Sequence, residues 1–271
     1  MIIDVSQHNG KIDWSLVKPN IEGAIIRVGL GNDQTDQDDV RAVYNMDECQ
    51  RLGITWGAYL YSYAQNTSML KSEYAHMKRM LKGRKPVFPW YLDLEEKDCA
   101  SFAKQAAQEW HDLCKADGVA PGVYASTCYY TDHIKTVPGD TSLWIADYRG
   151  AKPNIGRAYD GWQYTSEGRV NGIQGNVDLS VWYKSLGWKW RQEWHYYNAD
   201  GSMKKNEWQK DSKGWCYLKP DGTAAHGEWV KWKGDWYYLK DDCHMATNEY
   251  AYDSHGKCWL GPDGKWDGKY Y

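Results

Sequence analysis

The sequence of 271 residues predicts an α/β protein: an irregular, incomplete β/α barrel of the TIM-like kind, followed by an all-β solenoid of repeated hairpins. Up to about residue 183, short apolar runs alternate with helical patterns, which favours parallel strands joined by helical crossovers. Beyond that point the chain repeats itself with a step of 21 residues, which is typical of stacked units. We expect a barrel domain over 1–183, a linker over 184–190 and a repeat domain over 191–271.

The expected strands of the barrel are short apolar runs, bounded by turn residues or helical patterns. In chain order they are MIIDVS, GAIIRVG, TWGAYLYSYA, PVFPWYLDLE, PGVYAS, SLWIADY, GWQYTS and NVDLSVW. Towards the end of this region no helical pattern separates the runs, so we expect the barrel to be irregular and incomplete.

Three helical patterns lie between these strands, and each is followed by a glycine that favours a helix stop: Gly53, Gly83 and Gly118. In the first helix the spacing predicts one apolar face formed by Val40, Val43 and Tyr44.

The repeats from Gly187 onward are expected to form β-hairpins. Each copy has an aromatic strand, a polar turn, a second aromatic strand such as WYYL and an Asp-Gly turn. A single two-stranded hairpin is marginal in water, so the hairpins should stack as a solenoid. Cys243 stands where the other copies place Gly, which predicts a strained or different turn there.

Composition excludes several classes of partner. The net charge of −3 and the absence of a basic run argue against nucleic acid and anionic membranes. The first residues lack a signal-peptide pattern, and no window approaches the roughly 18 apolar residues of a spanning helix. The seven cysteines are scattered without a Cys-x-x-Cys pair, so we expect free thiols made in a cytoplasm, no zinc site and no cofactor.

The aromatic content is unusual, with 17 Trp and 22 Tyr against 2 Phe. Trp and Tyr add an electron-rich face and a polar edge to their bulk. These properties suit sugar stacking and cation recognition better than plain packing.

Acidic residues stand at the ends of several expected strands: Asp4, Asp93, Glu95 and Asp178. Side chains alternate along a strand, so Asp93 and Glu95 should share one face while Glu96 points away and is expected to be dispensable. Crowded carboxylates raise at least one pKa, as a general acid near neutral pH requires. Hydrolysis of a glycosidic bond needs such an acid and a second group that stabilises the transition state.

Other polar and aromatic residues at strand ends are candidates for sugar-binding walls: Tyr59, Tyr61, Tyr63, Trp162, Gln163 and Tyr164. From the pattern alone two alternatives stay open. An Asp at a strand end is commonly a turn former or a helix cap, and the same four acids suit a divalent metal ion.

The first region resembles the glycoside hydrolase family 25 lysozymes, the muramidases of phage endolysins and bacterial autolysins. The resemblance covers residues 1–183 and rests on stretches in a fixed order: DVSQHNGKIDW, GAYLYSYA, YLDLE, LWIADY and GWQYTSEGRVNGIQGNVDLSVW. It implies that the chain cuts the β-1,4 bond between N-acetylmuramic acid and N-acetylglucosamine in peptidoglycan. It also makes a metal site at the four acids much less favoured.

The resemblance also implies a role for each acid. Glu95 would be the general acid, and Asp93 would support the reacting centre, either by steadying the substrate's N-acetyl group or by direct electrostatics. Asp4 and Asp178 would orient and tune this pair. Contacts with the glycan would come from Tyr61, Trp162 and Tyr164.

The repeats resemble the choline-binding repeats of pneumococcal-type wall proteins, in which three aromatics surround a quaternary ammonium on teichoic acid. The resemblance implies one box of Trp208, Trp215 and Tyr238, a second of Trp229, Trp236 and Trp259, and a third of Trp188 or Trp190 with Trp194 and Tyr217. Lys257 replaces a Trp and should cap the stack. Two alternatives stay open: aromatics that only join the hairpins, and repeats that bind sugars.

Together these features predict an endolysin, made in the host bacterial cytoplasm without a signal peptide and acting at the cell wall after release. Its partners would be peptidoglycan strands and a choline-bearing teichoic acid or similar wall polymer, with a homodimer through the repeats left open. The alternative is a non-catalytic protein that binds wall glycan or teichoic acid.

Overall fold

The computed structural model describes residues 1–184, 187–190, 193–253 and 255–271, and for 187–190 it describes the backbone alone. The chain forms two compact units, Met1–Leu186 and Gly187–Tyr271. Among the described residues no helix combines the length and the apolar character that a membrane crossing requires.

The first unit is a closed barrel whose eight strands follow one another in chain order. They are β1 (Ile2–Val5), β2 (Gly23–Leu30), β3 (Trp56–Tyr61), β4 (Trp90–Asp93), β5 (Pro121–Ser126), β6 (Ser142–Ala146), β7 (Gly161–Gly168) and β8 (Val177–Trp182). The prediction of an incomplete barrel is wrong, because β8 pairs with both β7 and β1.

The prediction of irregularity is confirmed. Strands β1 to β7 are parallel to their neighbours, whereas β8 is antiparallel to β7 and to β1. The short connection between β7 and β8 contains no helix, so the chain reverses as a hairpin instead of crossing over. The start of β8 therefore lies at the same end of the barrel as the carboxyl ends of the other strands.

The helices of this unit are α1 (Trp14–Val17), α2 (Ala42–Leu52), α3 (Thr67–Leu81), α4 (Ala103–Ala116) and α5 (Thr127–Tyr129). The expected face of the first long helix is wrong at Val40 and Val43, which are 79% and 47% exposed, whereas Tyr44 packs against the core. The α-helix begins only at Ala42, and its buried side chains are Ala42, Asn45, Met46 and Cys49. Asn45 is satisfied there because Trp14 Nε1 donates to its Oδ1 at 3.1 Å.

The interior of the barrel is filled by aromatic side chains. The Trp144 ring lies 4.5 Å from the ring of Tyr124, 5.6 Å from that of Tyr91 and 6.2 Å from those of Tyr59 and Trp182, measured between centroids. Ile2, Ile25 and Phe88 complete this cluster. Such bulky and rigid packing forms a firm floor below the mouth of the barrel.

The second unit consists of antiparallel hairpins, as the repeat predicts. Their strands are β9 (Gly187–Trp190), β10 (Trp194–Tyr197), β11 (Glu207–Lys210), β12 (Trp215–Leu218), β13 (Glu228–Trp232), β14 (Asp235–Leu239), β15 (Glu249–Asp253), β16 (Gly256–Leu260) and β17 (Trp266–Tyr270). The backbone N–H of Ala224 donates to the carbonyl of Trp194 at 2.8 Å, and that of Met245 to the carbonyl of Trp215 at 2.7 Å. Backbone hydrogen bonds therefore join segments that lie on different hairpins.

Cys243 adopts the turn geometry of the glycines at its repeat position. Its φ of +69° falls close to the +79°, +92° and +77° of Gly201, Gly222 and Gly264. The turn is therefore the same, and a side chain occupies a left-handed conformation that favours glycine.

Candidate active site

The four acids predicted from the sequence lie together at one end of the barrel. Asp4 and Asp178 are paired residues of β1 and β8, and Asp93 is the last residue of β4. Because β8 runs antiparallel, its first residues reach the same mouth as the strand ends of β1 and β4. Glu95 follows Asp93 by two positions, and its charge acts on both Asp93 and Asp4.

Asp4 is buried and held by an amide. Gln163 Nε2 donates to both carboxylate oxygens of Asp4, at 3.1 and 3.0 Å. Gln163 Oε1 in turn accepts from the hydroxyls of Tyr124, at 2.8 Å, and Tyr148, at 2.5 Å. Burial, followed by the negative charge of Asp178, raises the pKa of Asp4 well above its ordinary value, and the Gln163 bonds oppose this rise.

Asp93 is also buried, and its Oδ1 has no hydrogen-bond partner among the described residues. Burial, then Glu95 and Asp4, raise the pKa of Asp93 well above its ordinary value, whereas Arg27 lowers it. A buried oxygen without a partner is costly in a folded protein and is characteristic of a site that receives a ligand.

Glu95 lies beyond the end of β4 and is exposed at the mouth. Strand-like alternation continues past Asp93, since Leu92 and Leu94 are both buried in the core outside the barrel. The protein around Glu95 still removes part of its hydration. This burial, followed by the charges of Asp178 and Glu96, raises the pKa of Glu95.

Glu96, which the alternation predicts to point away and to be dispensable, makes several contacts near the site. Its Oε2 accepts from the Tyr61 hydroxyl at 3.3 Å, and its carbonyl accepts from the Tyr129 hydroxyl at 2.8 Å. Its side chain also accepts from the N–H of Lys97 at the start of a short 3₁₀ turn. Glu96 thus supports the segment that carries Glu95.

Two aromatic pairs stand at the strand ends. The rings of Tyr61 and Tyr63 lie 5.2 Å apart, and those of Trp162 and Tyr164 lie 5.8 Å apart. Trp162 is oriented by its indole N–H, which donates to the carbonyl of Asp147 at 2.9 Å.

Two predicted wall residues lie deeper than the others. Tyr59 is half-buried and packs edge-on against Trp144. Gln163 is only 2% exposed and its amide is occupied by Asp4, so we assign it to the support of that carboxylate instead of to a wall.

Several site residues were not selected from the sequence: Arg27, Tyr124, Asp147 and Tyr148. Asp147 directly follows β6, so the rule that found Asp93 could have found it as well. It accepts from Thr127 Oγ1 at 2.8 Å and pairs with Arg149, which lowers the pKa of Asp147. Tyr124 gives no comparable signal, since it is one aromatic among many in a buried strand.

In the second unit the ring faces at one repeat position are exposed. Trp194, Trp215 and Trp236 are 41%, 42% and 39% exposed. The ammonium of Lys210 lies 5.7 Å from the ring centroid of Trp215, and that of Lys231 lies 5.6 Å from that of Trp236.

Other aromatics of the predicted boxes pack against rings of their own hairpin, and Trp208 also packs against a ring of the next hairpin. Trp208 lies 5.2 Å from Tyr217 and 5.1 Å from Tyr237, while Trp229 lies 5.4 Å from Tyr238. Trp259 lies 4.8 Å from Tyr250. The predicted contribution of Trp188 falls outside the described residues, since its side chain is not among them.

Comparison with known proteins agrees with the barrel. The model of Glycosyl hydrolases family 25 matches residues 3–173. The chain belongs to this family. The matched range contains three of the four acids at the mouth, and Asp178 lies just beyond it.

Individual relatives of this family 25 chain are lytic proteins. The autolytic lysozyme of Clostridium acetobutylicum is 29% identical over 195 residues, which cover 68% of this chain and 56% of that lysozyme. The modular autolysin LytC of Streptococcus pneumoniae is 30% identical with a TM-score of 0.57, covering 67% of this chain and 46% of LytC. The match therefore spans about half the length of these two relatives.

A third similarity is to a single domain. The catalytic domain of an endolysin from a bacteriophage of Listeria monocytogenes is 26% identical with a TM-score of 0.57, covering 66% of this chain and 91% of that domain.

Proposed function

We propose that this family 25 chain hydrolyses the β-1,4 bond between N-acetylmuramic acid and N-acetylglucosamine in peptidoglycan, as an endolysin. The observation that carries the proposal is Glu95, an exposed carboxyl of raised pKa beside three further acids. The substrate class is supported by LytC, which has been solved in complex with a synthetic peptidoglycan ligand.

In the proposed reaction the protonated Glu95 donates its proton to the glycosidic oxygen. The bond from this oxygen to C1 of the muramic acid breaks, and positive charge develops at C1. A water molecule finally adds to C1 and returns a proton to Glu95, which restores the acid. The raised pKa of Glu95 keeps the donor protonated closer to neutral pH.

We assign Asp93 to the N-acetyl group of the reacting sugar. Its unpartnered Oδ1 would accept the amide N–H of this group and would hold it beside C1. Asp4 and Asp178 would keep the pKa values of the pair raised, and the floor of aromatic side chains would keep Asp93 in place.

The test is Glu95→Gln on purified Gram-positive walls, with the release of new reducing ends followed by mass spectrometry. We expect muramic acid ends from the wild type and a loss of about a hundredfold or more in the variant, because the proton donor is removed. Glu48→Gln, which changes an acid of α2 paired with Arg51, is the control and should keep the activity. Glucosamine ends would contradict the proposed bond, and wall binding without any release would favour the non-catalytic alternative.

We propose that the hairpins stack as a solenoid that holds the protein on choline-bearing teichoic acid. The exposed faces of Trp215 and Trp236 support a cation ligand, because an electron-rich ring attracts a quaternary ammonium. A quaternary-amine resin provides the test. Free choline should elute the wild type and Trp236→Ala should bind more weakly, whereas indifference to choline would point to a sugar polymer.

We also propose that the protein is made in the host cytoplasm and reaches the wall after release. The seven cysteines are all free, as in proteins of a reducing compartment. A homodimer through the repeats belongs to the same proposal. Sedimentation with and without choline would reveal it, and a monomer under both conditions would contradict it.

A further inference from the structure

Three potential metal ligands meet in the repeat unit, away from the barrel acids. Asp211 lies in the turn after β11, Cys216 lies in β12, and His244 follows β14. One ligand atom of each residue lies within 4.8 Å of the other two, and no other such group occurs among the described residues. Cys216 follows Asp211 by five positions, and His244 follows Cys216 by 28. This spacing forms no compact metal-binding motif in the sequence.

The hydrogen bonds of the cluster orient its donors. Asp211 Oδ1 accepts from the backbone N–H groups of Lys213, at 2.8 Å, and Gly214, at 3.1 Å, which fixes the carboxylate in the turn. Both oxygens lie close to His244 Nε2, Oδ1 at 3.0 Å and Oδ2 at 3.1 Å. The imidazole therefore faces a carboxylate whose direction is already set.

His244 is 8% exposed, and its Nδ1 is buried without a hydrogen-bond partner among the described residues. The Asp242 carboxylate lies 3.4 Å from this nitrogen. A metal-binding histidine usually directs its second nitrogen at a carboxylate, which orients the ring. His244 thus has a carboxylate at each nitrogen, one as a co-ligand candidate and one as support.

We propose that Asp211, Cys216 and His244 bind a zinc ion. Sulfur, imidazole and carboxylate form the donor set that zinc prefers, whereas magnesium and calcium prefer oxygen alone. Tetrahedral zinc, with bonds of about 2.3 Å to sulfur and about 2.0 Å to nitrogen, holds its ligand atoms roughly 3–4 Å apart. The longest separation in the cluster would therefore close by about 1 Å, and water would complete the coordination.

Binding releases one proton, from the thiol of Cys216, and involves no oxidation or reduction. A neutral imidazole binds zinc through the lone pair of Nε2 and carries its single proton on Nδ1, on the side of Asp242. The ion joins the β11–β12 hairpin to the segment after β14. It would therefore act as a structural clip between successive hairpins of the wall-binding unit.

The chain contains its own control. Two repeat steps later, Asp253 and Cys258 occupy the positions of Asp211 and Cys216, and Cys258 is likewise buried. This second pair does not form part of a three-ligand group in the described part of the chain. Replacement of Cys258 thus tests whether a buried repeat cysteine alone accounts for metal binding.

The experiment is a titration of the full, metal-free protein with cobalt(II), an optical substitute for zinc. We expect one equivalent to give a near-ultraviolet band from thiolate-to-cobalt charge transfer, and zinc to abolish it. Zinc at about a hundred times its Kd should also raise the Tm of the repeat unit by on the order of 10 °C. Cys216→Ser and His244→Gln should lose the band and the Tm shift, whereas Cys258→Ser should keep both.

Absence of the band in the wild type would overturn the proposal, and so would equal losses in Cys216→Ser and Cys258→Ser. If near-ultraviolet circular dichroism shows that Cys216→Ser is unfolded, His244→Gln decides the question. Asp242→Asn adds a second readout. It should weaken zinc binding about tenfold to a hundredfold, because the ring loses its supporting carboxylate.

Discussion

The electrostatics of the candidate site depend on the difference in exposure among its acids. Asp4 and Asp93 are buried, whereas Glu95 lies at the open mouth. All three have a raised pKa, with burial as the largest cause and the charges of neighbouring acids next. The proposed proton donor is thus the acid that a substrate can reach, and the charges of Asp178 and Glu96 add to the burial that raises its pKa.

Removal of the Asp178 charge tests this arrangement. In Asp178→Asn the pKa of Glu95 should fall, because Asp178 is the largest charge effect that raises it. The basic limb of the pH profile of kcat/KM should therefore move to lower pH. Asp147→Asn, whose acid is paired with Arg149, is the comparison and should leave this limb in place. A basic limb unchanged in Asp178→Asn would contradict the coupling.

Among the secondary-structure elements, α3 controls the loop after β3. Its buried Glu73 accepts from Ser62 Oγ and from the backbone N–H of Tyr63, each at 2.7 Å. This loop directly follows Tyr61 and carries Tyr63, so a buried side chain of the helix holds one of the aromatic pairs at the mouth. Burial raises the pKa of Glu73 to about 7, against these hydrogen bonds, which lower it.

Glu73 should make stability depend on pH. Between its ordinary pKa near 4.5 and about 7, the folded protein keeps a proton that the unfolded chain has lost. The free energy of unfolding should therefore fall as pH rises through this window, by at most on the order of 3 kcal/mol. Glu73→Gln should lack this part of the fall in urea unfolding, whereas Glu48→Gln, which changes an acid of α2 paired with Arg51, should retain it. If the free energy of unfolding fell equally with pH in the wild type and in Glu73→Gln, the assignment of this pH dependence to Glu73 would be refuted.

In the hairpin β15–β16, a lysine ammonium lies over an aromatic ring of the same hairpin. Lys257 Nζ lies 3.8 Å from the ring centroid of Tyr250, whose ring lies 4.8 Å from that of Trp259. A lysine ammonium at this distance attracts the ring and competes with a ligand cation for the same face. The ammonium of Lys257 thus occupies a ring face that a ligand cation would use, which is how Lys257 would cap the stack.

Lys257→Ala should expose this face to choline. On the proposed function of the repeats, calorimetry should then find additional choline bound per chain. Lys240→Ala, which removes an ammonium paired with Glu249 instead of a ring, should leave the number unchanged. An unchanged number in Lys257→Ala would show that the two rings do not form a choline site.

For the molecule as a whole, the two units have separate cores. The barrel closes on itself, and the hairpins bury their own apolar clusters. In the proposed function the first unit performs the chemistry and the second supplies attachment. Several weak sites acting on one polymer give a high effective concentration at the wall.

Removal of residues 187–271 should separate these contributions. The remaining barrel should hydrolyse soluble glycan fragments at the rate of the full chain but act on intact walls at least about tenfold more slowly, because it loses multivalent attachment. Free choline added to the full chain should reproduce the loss. Equal rates on walls for both proteins would contradict the proposed role of the repeats.

Local patterns in the sequence predicted much of this protein. Alternation along strands led to Asp4, Asp93, Glu95 and Asp178, and the step of 21 residues led to the hairpins. Such patterns are reliable because they depend on neighbours only a few positions away. The same reasoning failed at Val40, since the start of α2 depends on the loop before it and not on spacing alone.

Tertiary structure decided what no local pattern contains. The barrel closes because β8 pairs with β1, and Gln163 reaches Asp4, which lies 159 positions earlier. Asp211, Cys216 and His244 come together although His244 lies beyond a different hairpin from the other two. Contacts of this kind depend on how separate elements pack, and burial then sets the pKa values of the acids. The sequence therefore identified the acids of the candidate site, whereas only the folded chain determined their partners and their burial.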